Sequence, residues 1–433
     1  MVGAGLAGCE AAWQLAERGL KVALFEMKPT SRSPAHTTNG MAELVCSNSF
    51  RGASLASAVG LLKQELAQLG SLAMRAAIQT QIPAGRALAV DRQRFSDAVE
   101  HAIEAHPNIQ IVRERVDELP PGRVIVATGP LTAGRLMDAL EEKGALLYYH
   151  DAIAPLVTAE SLDMNRVFAA SRYDDADTKE SERGAYLNCP MDERTYFHFV
   201  EQLVVGERAP LKDFETAPFF EGCLPVEEIA VRGPLTLAHG PLKPVGLMDP
   251  RTGKRPFAVV QLRREDLTGT AYNLVGFQTR LTRPEQKRIF QMIPGMEEAK
   301  FIRFGQVHRN SFVNAPVVLD RLLRLRENPQ ITLAGQISGV EGYVESIACG
   351  WAAGFFTAQE LLGKPFETPP PTTAIGGLLR FLTIARQNFQ PSNVLWLMID
   401  TPKRARRVSK SRHREISAKK ALEELRTWHS ANE

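Results

Sequence analysis

One short stretch constrains this chain more than any other: Gly3-Ala4-Gly5-Leu6-Ala7-Gly8, at the head of an apolar segment, Cys9 to Glu17, spaced for a helix. Glycines at these intervals let the backbone turn tightly and let the helix lie close on a neighbouring strand. The first turn of such a helix has unpaired N–H groups and the positive end of the helix dipole, a setting that takes the pyrophosphate of a dinucleotide. Gly19 stops the helix, and Lys21 to Glu26 (KVALFE) reads as an apolar strand ending in an acid. Glu26 comes 18 residues after Gly8, where a carboxylate can accept hydrogen bonds from ribose hydroxyls. Gly3, Ala4, Gly5, Leu6, Ala7, Gly8 and Glu26 are therefore candidate dinucleotide ligands. A glycine-rich turn with no ligand is the plainer alternative.

The rest of the chain extends this unit. Leu61 to Ala77 carries apolar residues at helical spacing and predicts one helix; Phe95 to Glu104 predicts another. Ile109 to Arg113 and Arg123 to Thr128 read as strands. Strands alternating with helices give an α/β fold with a parallel sheet. The strand expected ahead of Gly3 is nearly absent: only Met1 and Val2 precede it, whereas a central strand takes about five residues. The expectation is a truncated first strand or a chain whose beginning lies upstream. After residue 150 the chain turns to Pro, Asp and short β-like runs such as Phe257 to Leu262, an α+β style. Near Ile331 the first style returns, with a strand to Ala334, a glycine-rich turn and a helix from about Val344 to Leu362. The division read from this is 1–150 for the first part of the nucleotide-binding domain, 151–305 for an insertion domain, and 306–433 for the second part with a basic tail.

Composition limits the function classes. With 433 residues, 44% hydrophobic, two or three domains of roughly 150 residues can each bury a core. No run approaches the ~20 apolar residues of a membrane span, and no basic-then-apolar leader opens the chain; a cytoplasmic protein without a membrane partner is expected. The cysteines, Cys9, Cys46, Cys189, Cys223 and Cys349, are odd in number and dispersed. That argues against a disulfide framework and against a zinc site, so no metal is expected. Net charge is +3, but residues 403 to 420 hold nine Lys/Arg against one acid, leaving the body net negative. Such a basic end suits a polyanion, with Lys403, Arg404, Arg406, Arg407 and Lys410 as candidate phosphate contacts; a solvated helical end is the bland alternative. Arg251, Lys254, Arg255, Arg263 and Arg264 are a second choice.

Several longer motifs are more specific: Leu44-Val45-Cys46-Ser47-Asn48-Ser49, Phe220 to Glu227 (FEGCLPVE), Arg232-Gly233-Pro234-Leu235, Lys243 to Gln261, His308-Arg309-Asn310 and Gly335 to Ser346 (GQISGVEGYVES). In these the chain closely resembles the folate- and FAD-dependent tRNA uracil-5-methyltransferases, relatives of the wobble-uridine modifying flavoproteins. The resemblance implies a glutathione-reductase-like FAD-binding domain, a parallel sheet with helices and a truncated first strand, interrupted by an α+β insertion domain. It implies methylation of carbon 5 of a T-loop uridine in tRNA. Methylenetetrahydrofolate supplies the carbon, FAD the electrons, and NAD(P)H reduces the flavin. Thr128 and Gly129, in Ala127 to Pro130, and Gly335, Gln336 and Gly339, in the late glycine turn, are the further FAD candidates by this resemblance.

The chemistry explains the cysteines. Carbon 5 of uracil is a poor nucleophile until a thiolate adds at carbon 6, and the carbon 5 proton must later leave, so a nucleophilic thiol and a base are required. By resemblance Cys223 is the thiol that adds to uracil and Cys46 the second thiol near the flavin; the residues themselves also allow the roles to be exchanged. Cys9, Cys189 and Cys349 read as packing residues. A planar pterin with an anionic tail calls for stacking and basic or amide partners; His308, Arg309, Asn310 and Tyr343 are the folate candidates, each with a structural hydrogen bond as its alternative. Two other functions remain open: another FAD-dependent tRNA uridine-modifying enzyme, or a flavin-containing RNA-binding protein without turnover.

Overall fold

Val2 holds the centre of the parallel sheet. In the computed structural model, which describes residues 1–132, 134–142, 146–172, 184–210, 224–385 and 389–433, strand Val22–Phe25 pairs with Ile109–Val112, and strand Val124–Val126 pairs with Ile331–Leu333. Val2 bridges in parallel to Phe25 on one side and Val126 on the other. Its N–H donates to the Ile125 carbonyl at 2.9 Å and its carbonyl accepts from Ala127 N–H at 2.8 Å; Gly3 N–H donates to Phe25 at 2.8 Å. Where the sequence called for a central strand, one bridging residue, Val2, stands between its two neighbours. The two strand pairs meet across it.

The first helix, Leu6–Glu17, begins earlier than the Cys9 expected, directly after Gly5 in extended conformation. It lies against helix Tyr343–Leu361, where a Cβ on Gly354 would stand 2.6 Å from the Ala11 carbonyl oxygen. Only hydrogen fits there, so the two helices approach through small residues. The segment predicted as one helix over 61–77 is two, Ala58–Gln68 and Leu72–Gln79. Gly70 at φ +72° turns the chain, and Ser71 caps the second helix by accepting from Met74 N–H. Apolar periodicity ran through the break because both helices face one core.

Strands Leu146–Ile153 and Gln306–Val313 form an antiparallel ribbon, with Ile153 opposite Gln306. Beyond it stands a six-stranded sheet in the order Phe301–Arg303, Leu156–Thr158, Ala271–Leu274, Ala258–Arg264, Tyr186–Met191, Phe168–Ala169. Its pairings are antiparallel. Helix Glu193–Val205 covers it, and Val157, Tyr196, Phe199, Val260, Phe277 and Phe290 build a core separate from that of the parallel sheet. Thr373, two residues after Pro369-Pro370-Pro371, caps helix Ala374–Thr383 by accepting from Gly376 N–H. The basic end runs into a helix, Lys410–Asn432, docked by Ala418, Ala421, Leu425 and Trp428; Trp428 lies edge-on to Trp351 at 6.2 Å. Among the described residues no helix is long and apolar enough to cross a membrane.

Candidate active site

A cleft enclosing about 1440 Å³ of empty space, its open mouth included, runs along the glycine turns. Gly3, Ala4, Gly5, Leu6 and Ala7 form one wall, Thr128 and Gly129 another, and Gly335, Gln336 and Tyr343 a third. Space is open where a Cβ on Gly5 or Gly129 would stand, while one on Gly3 (φ +95°) would meet the Ala127 carbonyl at 2.6 Å. The turn is thus shaped by close backbone contact below and left bare above, a cradle that a pyrophosphate fills. Glu26 lines the cleft and is buried. Its Oε2 accepts from Ala4 N–H and its Oε1 from Lys28 N–H, both at 2.9 Å. Each carboxylate oxygen keeps a second lone pair for a ribose hydroxyl. These residues fit FAD.

Two of the dinucleotide candidates do not line the cleft. Gly8 is in the first helix, where a side chain would collide with the Gly3 carbonyl. Gly339 ends the 3₁₀ turn at φ +91°, and a Cβ there would stand 2.6 Å from the Phe389 ring. Both serve packing of the turns. Lys28, Arg32, His36 and Glu43, which the sequence did not single out, also line the cleft; nothing in their spacing marks them.

Cys46 sits in a loop whose partner residues come from both cores. The Tyr343 hydroxyl oxygen accepts the N–H groups of Cys46 at 2.9 Å and Ser47 at 3.0 Å. Arg303 donates to the carbonyls of Val45 at 2.9 Å and Cys46 at 3.3 Å. Arg263 donates to Ser47 Oγ at 2.7 Å and Asn48 Oδ1 at 2.8 Å, and Arg92, paired with Glu265 at 2.6 Å, reaches the Leu44 carbonyl. Three guanidiniums therefore surround a loop at the cleft edge, where Val45 lines the wall beside Tyr343. Burial, then the neighbouring Arg92, pulls the Arg303 guanidinium below its ordinary range. Arg92 and Arg303 carry no recognisable motif and are brought here by tertiary packing alone. Arg263, a second-choice phosphate contact, is buried and spent on this loop; Arg251 is paired with Asp249 at 2.7 Å.

The folate candidates divide. Tyr343 faces the cleft and holds the Cys46 loop. On the strand Gln306–Val313 alternate side chains point to opposite faces. Arg309 stacks its guanidinium 4.4 Å over the Tyr148 ring and lines a second cavity with Arg280 and Thr282. His308 stands within reach of Arg303: burial, then that guanidinium, lowers its pKa below the ordinary 6.5, and its Nε2 is buried without a hydrogen-bond partner. Asn310 Nδ2 is 3.4 Å from Asp151. Cys223 lies outside the described residues. Cys9, Cys189 and Cys349 are buried free thiols, each pushed up by burial, Cys349 to about 12. Lys403, Arg404, Arg406 and Arg407, in the segment before the terminal helix, and Lys410, its first residue, are all exposed.

The sequence pattern of the family described as glucose inhibited division protein A matches residues 1–365. The chain is 53% identical to the methylenetetrahydrofolate–tRNA-(uracil-5-)-methyltransferase TrmFO of Geobacter sulfurreducens, across 99% of this chain and 98% of that one. It is 51% identical to the protein of the same description from Heliobacterium modesticaldum, across 100% and 98%. Among solved structures, Aquifex aeolicus GidA superposes with a TM-score of 0.71 at 18% identity, across 99% of this chain and 72% of that one, and so shares the fold. With a pattern match over most of its length and full-length relatives at more than half identity, the chain belongs to the glucose inhibited division protein A family, on its TrmFO branch.

Proposed function

We propose that this chain methylates carbon 5 of a T-loop uridine in tRNA, with methylenetetrahydrofolate as carbon donor and reduced FAD as reductant. One observation carries the reading: Tyr343 and Arg303 hold Cys46 itself, and Arg92 and Arg263 hold the loop on either side of it, at the edge of a cleft fitted for a dinucleotide. The names of the full-length relatives support the same substrates. The glycine turn, Glu26, Gly129 and Gln336 would hold FAD, which once reduced by NAD(P)H would supply the electrons that make the transferred one-carbon unit a methyl group. Cys223 adds to carbon 6 of the uracil, and Cys46, as the second thiol, assists removal of the carbon 5 proton. The Tyr343 ring offers a flat face for a pterin at the cleft; His308 and Asn310 stand behind the cleft wall as the other folate positions the resemblance implies. The exposed Lys403 to Lys410 segment meets RNA phosphates, and the target base leaves its stack to reach the thiols. The setting is the cytoplasm. The insertion over 151–305 and the flanking parts 1–150 and 306–433 act as two domains of one enzyme.

The test mixes purified protein with unmethylated tRNA, methylene-labelled methylenetetrahydrofolate and NADH or NADPH. Label on uracil carbon 5 is expected. A flavin-loaded protein that transfers no label would favour a binding role, and transfer from S-adenosylmethionine would remove the folate. Cys223→Ala is expected to abolish covalent trapping of fluorouracil-containing tRNA; survival of trapping would move that role to Cys46.

A further inference from the structure

Five polar side chains, Glu341, Tyr149, Asp151, Asn310 and the cleft residue Gln336, meet beside the Tyr343 end of the cleft. Glu341, buried at 7% exposure, accepts on Oε2 from the Tyr149 hydroxyl and from Gln336 Nε2 at 2.9 Å. Gln336 Nε2 is also 3.3 Å from the Tyr149 oxygen. Asp151 and Asn310 stand on the adjoining ribbon, where Asn310 is opposite Tyr149. Of the five, Gln336 reaches the cleft. The backbone of Glu341 is fixed as well: its N–H donates to Ser392 at 3.1 Å and its carbonyl accepts from Asn393 Nδ2 at 2.7 Å.

The charges facing this carboxyl are of one sign. Asp151 comes from the ribbon and Glu345 from the helix; the nearby cation, Arg51, is paired with Glu345. Among the described residues no ammonium or guanidinium donates a hydrogen bond to the Glu341 carboxyl. Burial, then Asp151, pushes it up to about 8, and burial, then Glu341, holds the Tyr149 phenol well above its ordinary range. A carboxyl in such a place titrates easily when a further charge arrives next to it.

We infer that Glu341 is a positioning residue for the cofactor, setting the Gln336 amide against the cleft and taking up one proton when the flavin in that cleft is reduced. This rests on the FAD reading above. Gln336 Nε2 is held by both Glu341 and Tyr149, which fixes the orientation of an amide that lines the cleft. In the balanced step a hydride from NAD(P)H delivers two electrons and one proton to the flavin, leaving NAD(P)⁺. The added negative charge raises the proton affinity of the Glu341 carboxylate, and one solvent proton binds there until reoxidation releases it.

The experiment measures the flavin midpoint potential of the loaded protein from pH 6.5 to 9.5. Below the carboxyl's titration both redox states hold the proton, so Glu341 adds no slope. Above pH 8 one extra proton per two electrons is a tenfold effect per pH unit, about 30 mV. That added slope is expected in the wild type and absent in Glu341→Gln. Tyr149→Phe removes one donor from the carboxylate, so its break moves to higher pH; this variant and the wild type carry the test if Glu341→Gln does not fold. A flavin-loaded wild type with no added slope, a slope that survives Glu341→Gln, or a break unmoved by Tyr149→Phe overturns the inference alone. Protein that holds no flavin overturns the FAD reading with it.

Discussion

Tyr343→Phe removes one oxygen and leaves the ring in place, 5.8 Å from the Phe50 ring centre. That oxygen accepts two backbone N–H groups, from Cys46 at 2.9 Å and Ser47 at 3.0 Å. An ordinary hydrogen bond contributes a net 0.5–1.5 kcal/mol, and a fully buried orphan costs about 1–3 kcal/mol. Both loop residues are half-buried, so water can replace part of the loss, and the pair is worth about 2 kcal/mol. The arginine contacts to Val45, Cys46 and Ser47 remain, so the loop keeps its place but opens more often. At 1.4 kcal/mol per factor of ten, opening rises about 30-fold. Amide hydrogen exchange reads this directly: the amides of Cys46 and Ser47 exchange about 30-fold faster, while those of strand Val22–Phe25 keep their protection. Unchanged exchange at the two amides would refute the reasoning, as would a loss of protection spread over the whole sheet.

Gly354→Ala puts a methyl 2.6 Å from the Ala11 carbonyl; about 1–3 kcal/mol of stability is lost in urea unfolding, and FAD binds more weakly because the first helix is displaced. His308 has a folded pKa below its unfolded value. Its contribution is complete above the unfolded pKa of 6.5 and is lost as pH falls, because the unfolded chain takes the proton first; wild-type stability therefore drops more between pH 7.5 and 5.5 than that of His308→Asn. Changing Lys403, Arg404, Arg406, Arg407 and Lys410 to Ala makes the log affinity for tRNA against log salt shallower by roughly one for each phosphate that the protein ceases to touch; an unchanged slope assigns RNA binding to another surface.

Local signals carried much of this chain. Backbone requirements can be read from residue type, so Gly3 to Gly8 and Glu26 announced a turn, a helix and a strand-end acid before any packing was known. The apolar runs at 109–113, 123–128 and 331–334 each fell on a strand of the parallel sheet. Periodicity failed at Gly70-Ser71, where a turn and a cap interrupt a continuous apolar face. It also could not separate Gly8 and Gly339, which relieve packing, from Gly5 and Gly129, which leave space above the turn.

What the sequence determined alone was the class of turn, the alternation of elements and the motifs that tie the chain to its family, because each depends on neighbours a few positions apart. What only the tertiary structure decided was which residues surround Cys46. Arg92, Arg263, Arg303 and Tyr343 are 46 to 297 positions away from it, and Tyr149 and Asp151, which face Glu341, come from a strand nearly 200 residues earlier. Hydrogen bonds and desolvation act over a few ångströms of space, and no spacing along the chain records which distant segments will share those ångströms.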